Sequence, residues 1–340
     1  MKLKENLFSR CTLIFGLILF AILSQSTQAE ITIAVVGKTK NDTFYEQSYK
    51  GCVDFAKQHP NVECIYDGAD DYQDFRTQSL IINELLNKKV DGLLISTTDS
   101  NYLVSRSLKK AKQLKIPVIT FDSDLLTEHK DYRLAYVGTD NFAFGVALGE
   151  AAKPYKKAAL QSFCIQTGHH STPNLDKRIK GVRYALSTHT IDNLTKTEND
   201  LKQGWREYER CPLYTMGKRE DAISQLLTLL SYENPPIFIA VAGFAQFHSN
   251  YIERVLPYKE KITNYNAVII SADTEEMQLK ALGKGLSTIN IGQNPYEMGR
   301  KGAELLYNTI ALGQAPSEDN YYLDFHYCNQ TNILRCTVNH

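Results

Sequence analysis

Three polar side chains stand where an apolar run of strand length stops. Asp122 follows residues 116–121, Asp273 follows 266–272, and Gln293 follows 286–292. In an open, mostly parallel α/β sheet, ligands bind in the crevice beyond the carboxyl ends of the strands. Polar side chains recurring there imply one cleft assembled from distant parts of the chain. An ionised carboxylate only accepts hydrogen bonds, whereas a guanidinium such as that of Arg178 offers a rigid fork of donors. A site mixing Asp, Arg and Gln can therefore satisfy neighbouring hydroxyls in both senses, or take an ammonium group. The plainer alternative is that both acids cap the helices that follow them and that Arg178 forms a surface ion pair.

The elements that must position these residues follow an alternating strand and helix pattern, which argues for parallel sheets with covering helices. Strands are expected at 31–36, 62–66, 91–96, 116–121, 134–138, 160–166, 237–242, 267–272 and 286–291. The first expected helix places Phe44, Ser48, Cys52 and Phe55 on one face. Others are expected at 73–87, 103–114, 142–151, 220–230, 246–256 and 296–312. Residues 187–217 are polar and irregular and suggest no element. There is no internal repeat.

The first 29 residues read as a cleaved export signal: Lys2, Lys4 and Arg10 precede an apolar run at 13–23, and small residues at 26–29 offer a cleavage site. The run is too short for a comfortable transmembrane helix. Lys+Arg and Asp+Glu both total 38, so the formal net charge is zero. Nothing there favours a nucleic acid or an anionic membrane as partner. Of the seven cysteines, Cys11 lies in the leader, and six follow it. An even number in an exported chain favours disulfides over metal or redox chemistry. Sequence leaves fifteen pairings open. The nearest-neighbour set, Cys52–Cys64, Cys164–Cys211 and Cys328–Cys336, keeps each pair within one expected lobe.

The segments Phe121-Asp-Ser-Asp124, Tyr136-Val-Gly-Thr-Asp-Asn141, Arg178-x-x-Gly181 and Gly292-Gln-Asn-Pro-Tyr296 occur in that order. Order and wording resemble the ribose-binding-protein-like periplasmic solute-binding proteins, from about residue 31 to about residue 312. The resemblance implies a type I periplasmic binding fold: α/β, two similar parallel-sheet lobes joined by a multi-strand hinge. It implies a first lobe of 30–138 plus 294–322 and a second of 139–293 plus 323–340. By motif position it makes Asp122, Arg178, Asp273 and Gln293 ligand contacts. The loop at 38–45 matches the family's first ligand loop, so Asn41 would bond a hydroxyl and Phe44 or Tyr45 would cover a ring face. Trp205, the only tryptophan, is a candidate second wall. Two departures weaken any claim for ribose itself. Ser123 stands where many sugar binders have arginine, and Gly243-Phe-Ala-Gln-Phe247 stands where asparagine is usual, leaving Gln246 as the substitute.

The expected function is a periplasmic receptor, not an enzyme, whose two lobes close on a small polar solute, a sugar or sugar-like molecule; no Gly-x-Ser-x-Gly elbow and no Gly-x-Gly-x-x-Gly turn is present. Gly37-Lys-Thr39 looks like the tail of a phosphate loop, but its upstream glycine position is Thr32. His169-His170 has no further ligands at metal spacing. Three Asn-x-Thr triplets, at Asn41, Asn193 and Asn329, fit the glycosylation pattern, but chance produces it readily. No cofactor and no metal are expected. The expected partners are a sugar-like ligand and an ABC permease, or alternatively a sensor kinase or chemoreceptor, with the protein itself a monomer. A ligand-free interaction module of the same fold is a third reading.

Overall fold

Strand β1 (Ile31–Thr39) alternates its side chains between two cores, as a strand buried on both faces must. Ile31, Ile33 and Val35 join Phe44, Cys52, Phe55, Met298 and Leu306 on one side. Ala34 and Val36 join Ile82, Leu86, Leu103 and Leu108 on the other. The computed structural model describes residues 30–70, 73–186 and 204–336. The expected export signal at 1–29, most of the irregular stretch (187–203) and the Asn193 triplet lie outside them.

The first lobe continues with β2 (Val62–Ala69), β3 (Gly92–Ile95), β4 (Val118–Phe121) and β5 (Ala135–Gly138). Helices α1 (Thr43–Ala56) and α2 (Phe75–Asn87) cover opposite faces of the sheet. Asp42 caps α1 by accepting from the Phe44 amide, and Asp74 caps α2 in the same way. The second lobe runs α3 (Asn141–Ala152), β6 (Gln161–Thr167), α4 (Pro173–Leu186), β7 (Trp205–Glu207), β8 (Leu213–Tyr214), α5 (Arg219–Leu230), β9 (Ile237–Ala240), β10 (Ile269–Ala272), α6 (Glu276–Gly283) and β11 (Ile289–Gly292). Helix α7 (Pro295–Leu312) returns to the first lobe. It is followed by β12 (Asn320–Tyr322) and β13 (His326–Asn329).

The first sheet has the order β2-β1-β3-β4-β5-β12, all parallel. The second has the order β7-β6-β9-β10-β11-β13, with β8 also paired to β6 and only β13 antiparallel. Both are doubly wound, so both open a crevice at their strand ends. The chain crosses between sheets after β5, after β11 and after β12.

Three disulfides join Cys52 to Cys64, Cys164 to Cys211 and Cys328 to Cys336. The first fastens α1 to β2, the second ties β6 to the loop before β8, and the third closes the turn after β13.

Two expectations about elements are corrected. The helix expected at 246–256 shrinks to Tyr251–Val255. Ahead of it the His248 ring accepts from the Asn250 amide (3.1 Å), a local bond that competes with helix formation. The irregular stretch contains the short strands β7 and β8, too brief to leave a periodic signal.

Among the described residues no helix is long and apolar enough to cross a membrane.

Candidate ligand-binding cleft

The two strand-end acids occupy matching places in the two lobes. The Asp122 amide donates to Val137 O (3.2 Å) and the Asp273 amide to Ile291 O (2.7 Å), each reaching the neighbouring strand. Both residues turn left-handed there, with φ of 55° and 73°. Asp tolerates that region better than most side chains do, and such backbone tends to sit at functional sites. The turn aims each carboxylate into the space between the lobes.

Around them lies an inner cavity of about 30 Å³. The first lobe contributes Lys38, Tyr45 and Asp122, and the second contributes Asn174, Arg178, Asp273 and Gln293. Lys38 Nζ lies 3.0 Å from Asp122 Oδ2 and donates to Asn174 Oδ1 at 3.0 Å. Asn174 in turn donates to Asp122 Oδ1 (3.0 Å), linking the lobes. Tyr45 (3.1 Å) and Ser96 (2.8 Å) hydroxyls donate to Asp122 Oδ2. Arg178 is held from three sides: Asn141 Oδ1 (2.7 Å), Val241 O (2.9 Å) and Gln293 Oε1 (2.7 Å). Its guanidinium also lies over the Phe144 ring and 3.6 Å from Asp122 Oδ1. Gln293 donates to Asp273 Oδ1 at 2.8 Å.

Burial sets the charge states. It pushes the Asp122 carboxyl up, but the Lys38 ammonium and Arg178 guanidinium more than offset this and hold it below its ordinary value. It lowers Lys38 despite the pull of Asp122. It raises Asp273, with Arg178 offsetting only part. Burial next to Asp122 keeps the Tyr45 phenol protonated, so that it donates. Asp42 is pushed up to about 6 by burial, against the pull of Arg219.

The structure brings Phe44, Tyr45, Asp122, Arg178, Asp273 and Gln293 to one cavity. It does not bring the other three. Asn41 is exposed and donates to Asp70 O (2.9 Å), while its neighbour Asp42 turns inward. Trp205 is buried at the start of β7, paired with the start of β6 and packed on Phe163 at the far end of the sheet from the cleft. There it is core. Gln246 is buried behind the strand ends, where its carbonyl accepts from Gln278 (2.8 Å) and Asn290 (2.7 Å). Phe244 and Phe247 of that segment line the cavity instead. Lys38, Asp42, Gln73 and Asn174 are the polar residues the sequence reading missed. Asn174 had a usable signal, being one helical turn before Arg178 and so on the same face. Lys38 belongs to the last residues of β1, which runs three residues beyond its expected end. The His169 and His170 rings stack at 4.5 Å, and no group of three or more metal-binding side chains exists among the described residues.

A family model described as "periplasmic binding protein domain" matches residues 33–315. The chain belongs to this family. The ribose import binding protein RbsB of Salmonella typhimurium is 25% identical over 303 residues, covering 88% of this chain and 92% of that protein. A D-ribose/D-allose-binding protein of Pseudomonas aeruginosa is 27% identical over 158 residues, 45% of this chain and 49% of that protein. Among solved structures, an ABC transporter solute-binding protein of Burkholderia graminis in complex with D-arabinose superposes with a TM-score of 0.73. It is 22% identical, and the match covers 92% of this chain and 100% of that one. The periplasmic binding family thus accounts for the two parallel-sheet lobes.

Proposed function

We propose that this chain is an exported periplasmic receptor whose lobes close on a small polar solute, a sugar or sugar-like molecule. The observation that carries the reading is the interlobe cleft itself, where acids, a guanidinium, amides and aromatic rings from both lobes converge. Such a set suits hydroxyls and the apolar face of a ring. The relatives bind sugars by name, which supports the solute class. Closure follows from the crossings between sheets, which act as a hinge. The solute would drive it by binding the closed form more tightly than the open one. The closed protein would then be presented to an ABC permease, or to a membrane sensor that reads the same lobe surfaces.

A thermal-shift screen of the mature protein against pentoses, hexoses, polyols, amino acids and quaternary amines tests this. A saturable rise in Tm with one sugar class is the expected result, because ligand bound only to the native state stabilises it by mass action. A rise with amino acids alone would overturn the solute class. No rise at all would favour a ligand-free interaction module.

A further inference from the structure

Two hydrogen bonds join the lobes at places the inner cavity does not reach. On the α1 side of the first sheet, Gln47 of the first lobe meets the Glu275 carboxylate of the second. Its amide nitrogen donates to Oε2 at 2.8 Å and to Oε1 at 3.0 Å. On the α2 side the direction is reversed, and the Ser171 hydroxyl of the second lobe donates to Asp99 Oδ2 of the first at 2.6 Å. None of these four residues lines the cavity around Asp122 and Asp273.

The two acceptors are built alike. Each is the N-cap of a helical segment in its own lobe, a duty that does not depend on the other lobe. Glu275 accepts from the Gln278 amide at the start of α6. Asp99 Oδ1 accepts from the Tyr102 amide (2.8 Å), and the Tyr102 ring packs on Phe75 of α2 at 4.9 Å. A cap uses only part of a carboxylate's acceptor capacity, so each acid can take a donor from across the gap as well. Hydrogen bonds to carboxylates are stronger than those between neutral groups. Because both donors are neutral, no cation is left unpaired when the lobes part. The Ser171 side is also preset by its own loop, where the hydroxyl lies 2.8 Å from His169 Nδ1 and the His169 ring packs on Phe75.

We infer that Gln47–Glu275 and Ser171–Asp99 are clasps on the closed form, made by positioning residues that set solute affinity without touching the solute. Both bonds exist only when the lobes meet, so they favour the closed state over the open one. The apparent affinity of a receptor scales with the fraction of it in the binding-competent form. Closure is therefore tuned at the rim, while recognition stays at the strand ends. This inference rests on the receptor reading.

The test is calorimetry and stopped-flow kinetics on the mature protein with D-ribose, D-allose and D-arabinose, with urea unfolding to check that every variant folds. Gln47→Ala and Ser171→Ala are each expected to raise Kd by about three- to ten-fold, through faster release at an unchanged association rate. Ser171→Thr keeps the hydroxyl and should bind like the wild type. Gln47→Glu sets one carboxylate against another and should bind more weakly than Gln47→Ala. Adding Glu275→Gln to it exchanges donor and acceptor and should restore binding to within about three-fold of wild type. Alanine variants that bind as tightly as the wild type would overturn the clasps and leave the receptor reading standing. A Gln47→Glu loss that Glu275→Gln does not reverse would also overturn them, because damage to the fold would then explain it. A wild type that binds none of the three sugars would count against the receptor reading and remove the clasps with it.

Discussion

Asp42 shows how one side chain can serve two ends at a cost. It caps α1 and lines the inner cavity, yet burial lifts its carboxyl from 3.8 to about 6. A carboxyl whose pKa is higher in the folded than in the unfolded state binds extra protons on folding. Its stabilising effect is complete below pH 3.8 and is lost as pH rises through about 6. The difference corresponds to about 3 kcal/mol at neutral pH. Asp42→Asn, which keeps the cap, should raise unfolding stability at pH 7.5 by about 2 kcal/mol and flatten its slope between pH 4 and 6 in urea titrations. A variant with an unchanged slope would show that Asp42 is not the group responsible. Lys38 is the opposite case. Lys38→Met removes the ammonium nearest to a buried carboxylate and leaves only Arg178, at 3.6 Å, to compensate Asp122. The expected loss is about 3 kcal/mol in urea unfolding at pH 7. These two residues also mark the limit of sequence reading. Neighbouring Asn41 and Asp42 are both good caps and good sugar contacts. Which one faces inward depends on the rotation of a helix start, and composition does not record that. Lys38 looked like a loop residue because the apolar run ended two positions earlier.

At the scale of elements, glycines set how closely the helices beside the cleft approach. A methyl at Gly145 of α3 would collide with the Arg178 carbonyl of α4, and one at Gly181 of α4 with the Phe142 carbonyl. The first lobe repeats the device, with Gly51 of α1 against Tyr296 and Gly299 of α7 against Ser48. In the second lobe the close pair includes the turn that carries Arg178, so packing fixes where its guanidinium sits. Gly145→Val should push α4 outward, cost about 2–3 kcal/mol and weaken solute binding. Gly51→Val, remote from Arg178, should cost similar stability, and comparing binding in the two variants separates displacement of Arg178 from general loosening. Arg133 joins elements differently. Fully buried, it grips Asp124 after β4 (2.7 Å) and Asp319 before β12 (2.5 Å). Arg133→Met leaves Asp124 buried without its partner, with an expected loss of about 3 kcal/mol by urea denaturation. The strand ends at Asp122, Asp273 and Gln293 were legible because apolar runs stop there abruptly. Trp205 and Gln246 were not, because a large aromatic or an amide near the right stretch gives no sign of which end of the sheet it occupies.

At the scale of the molecule, each lobe is sewn from separated stretches of chain. The first sheet takes its outer strand β12 from residues 320–322, and the second takes β13 from 326–329. A chain cut after residue 318 would lose one edge of each sheet, the Asp319 end of the Arg133 link and the Cys328–Cys336 bridge. It should melt broadly and be digested by protease under conditions that leave the longer chain intact. Sharp, unchanged melting would mean that these strands are ornaments rather than parts of the cores. The doubly wound pattern and the crossings could be read from alternating elements and motif order, whereas the filling of the inner cleft could not, since it depends on side chains meeting across lobes. Late arrival of both outer strands has a consequence for how the protein is made. Domains tend to fold as units while the ribosome is still extending the chain, but here neither lobe can complete its sheet until residues 320–329 have emerged. Both sheets therefore keep an open edge until those residues are available, and neither lobe can be completed long before the other.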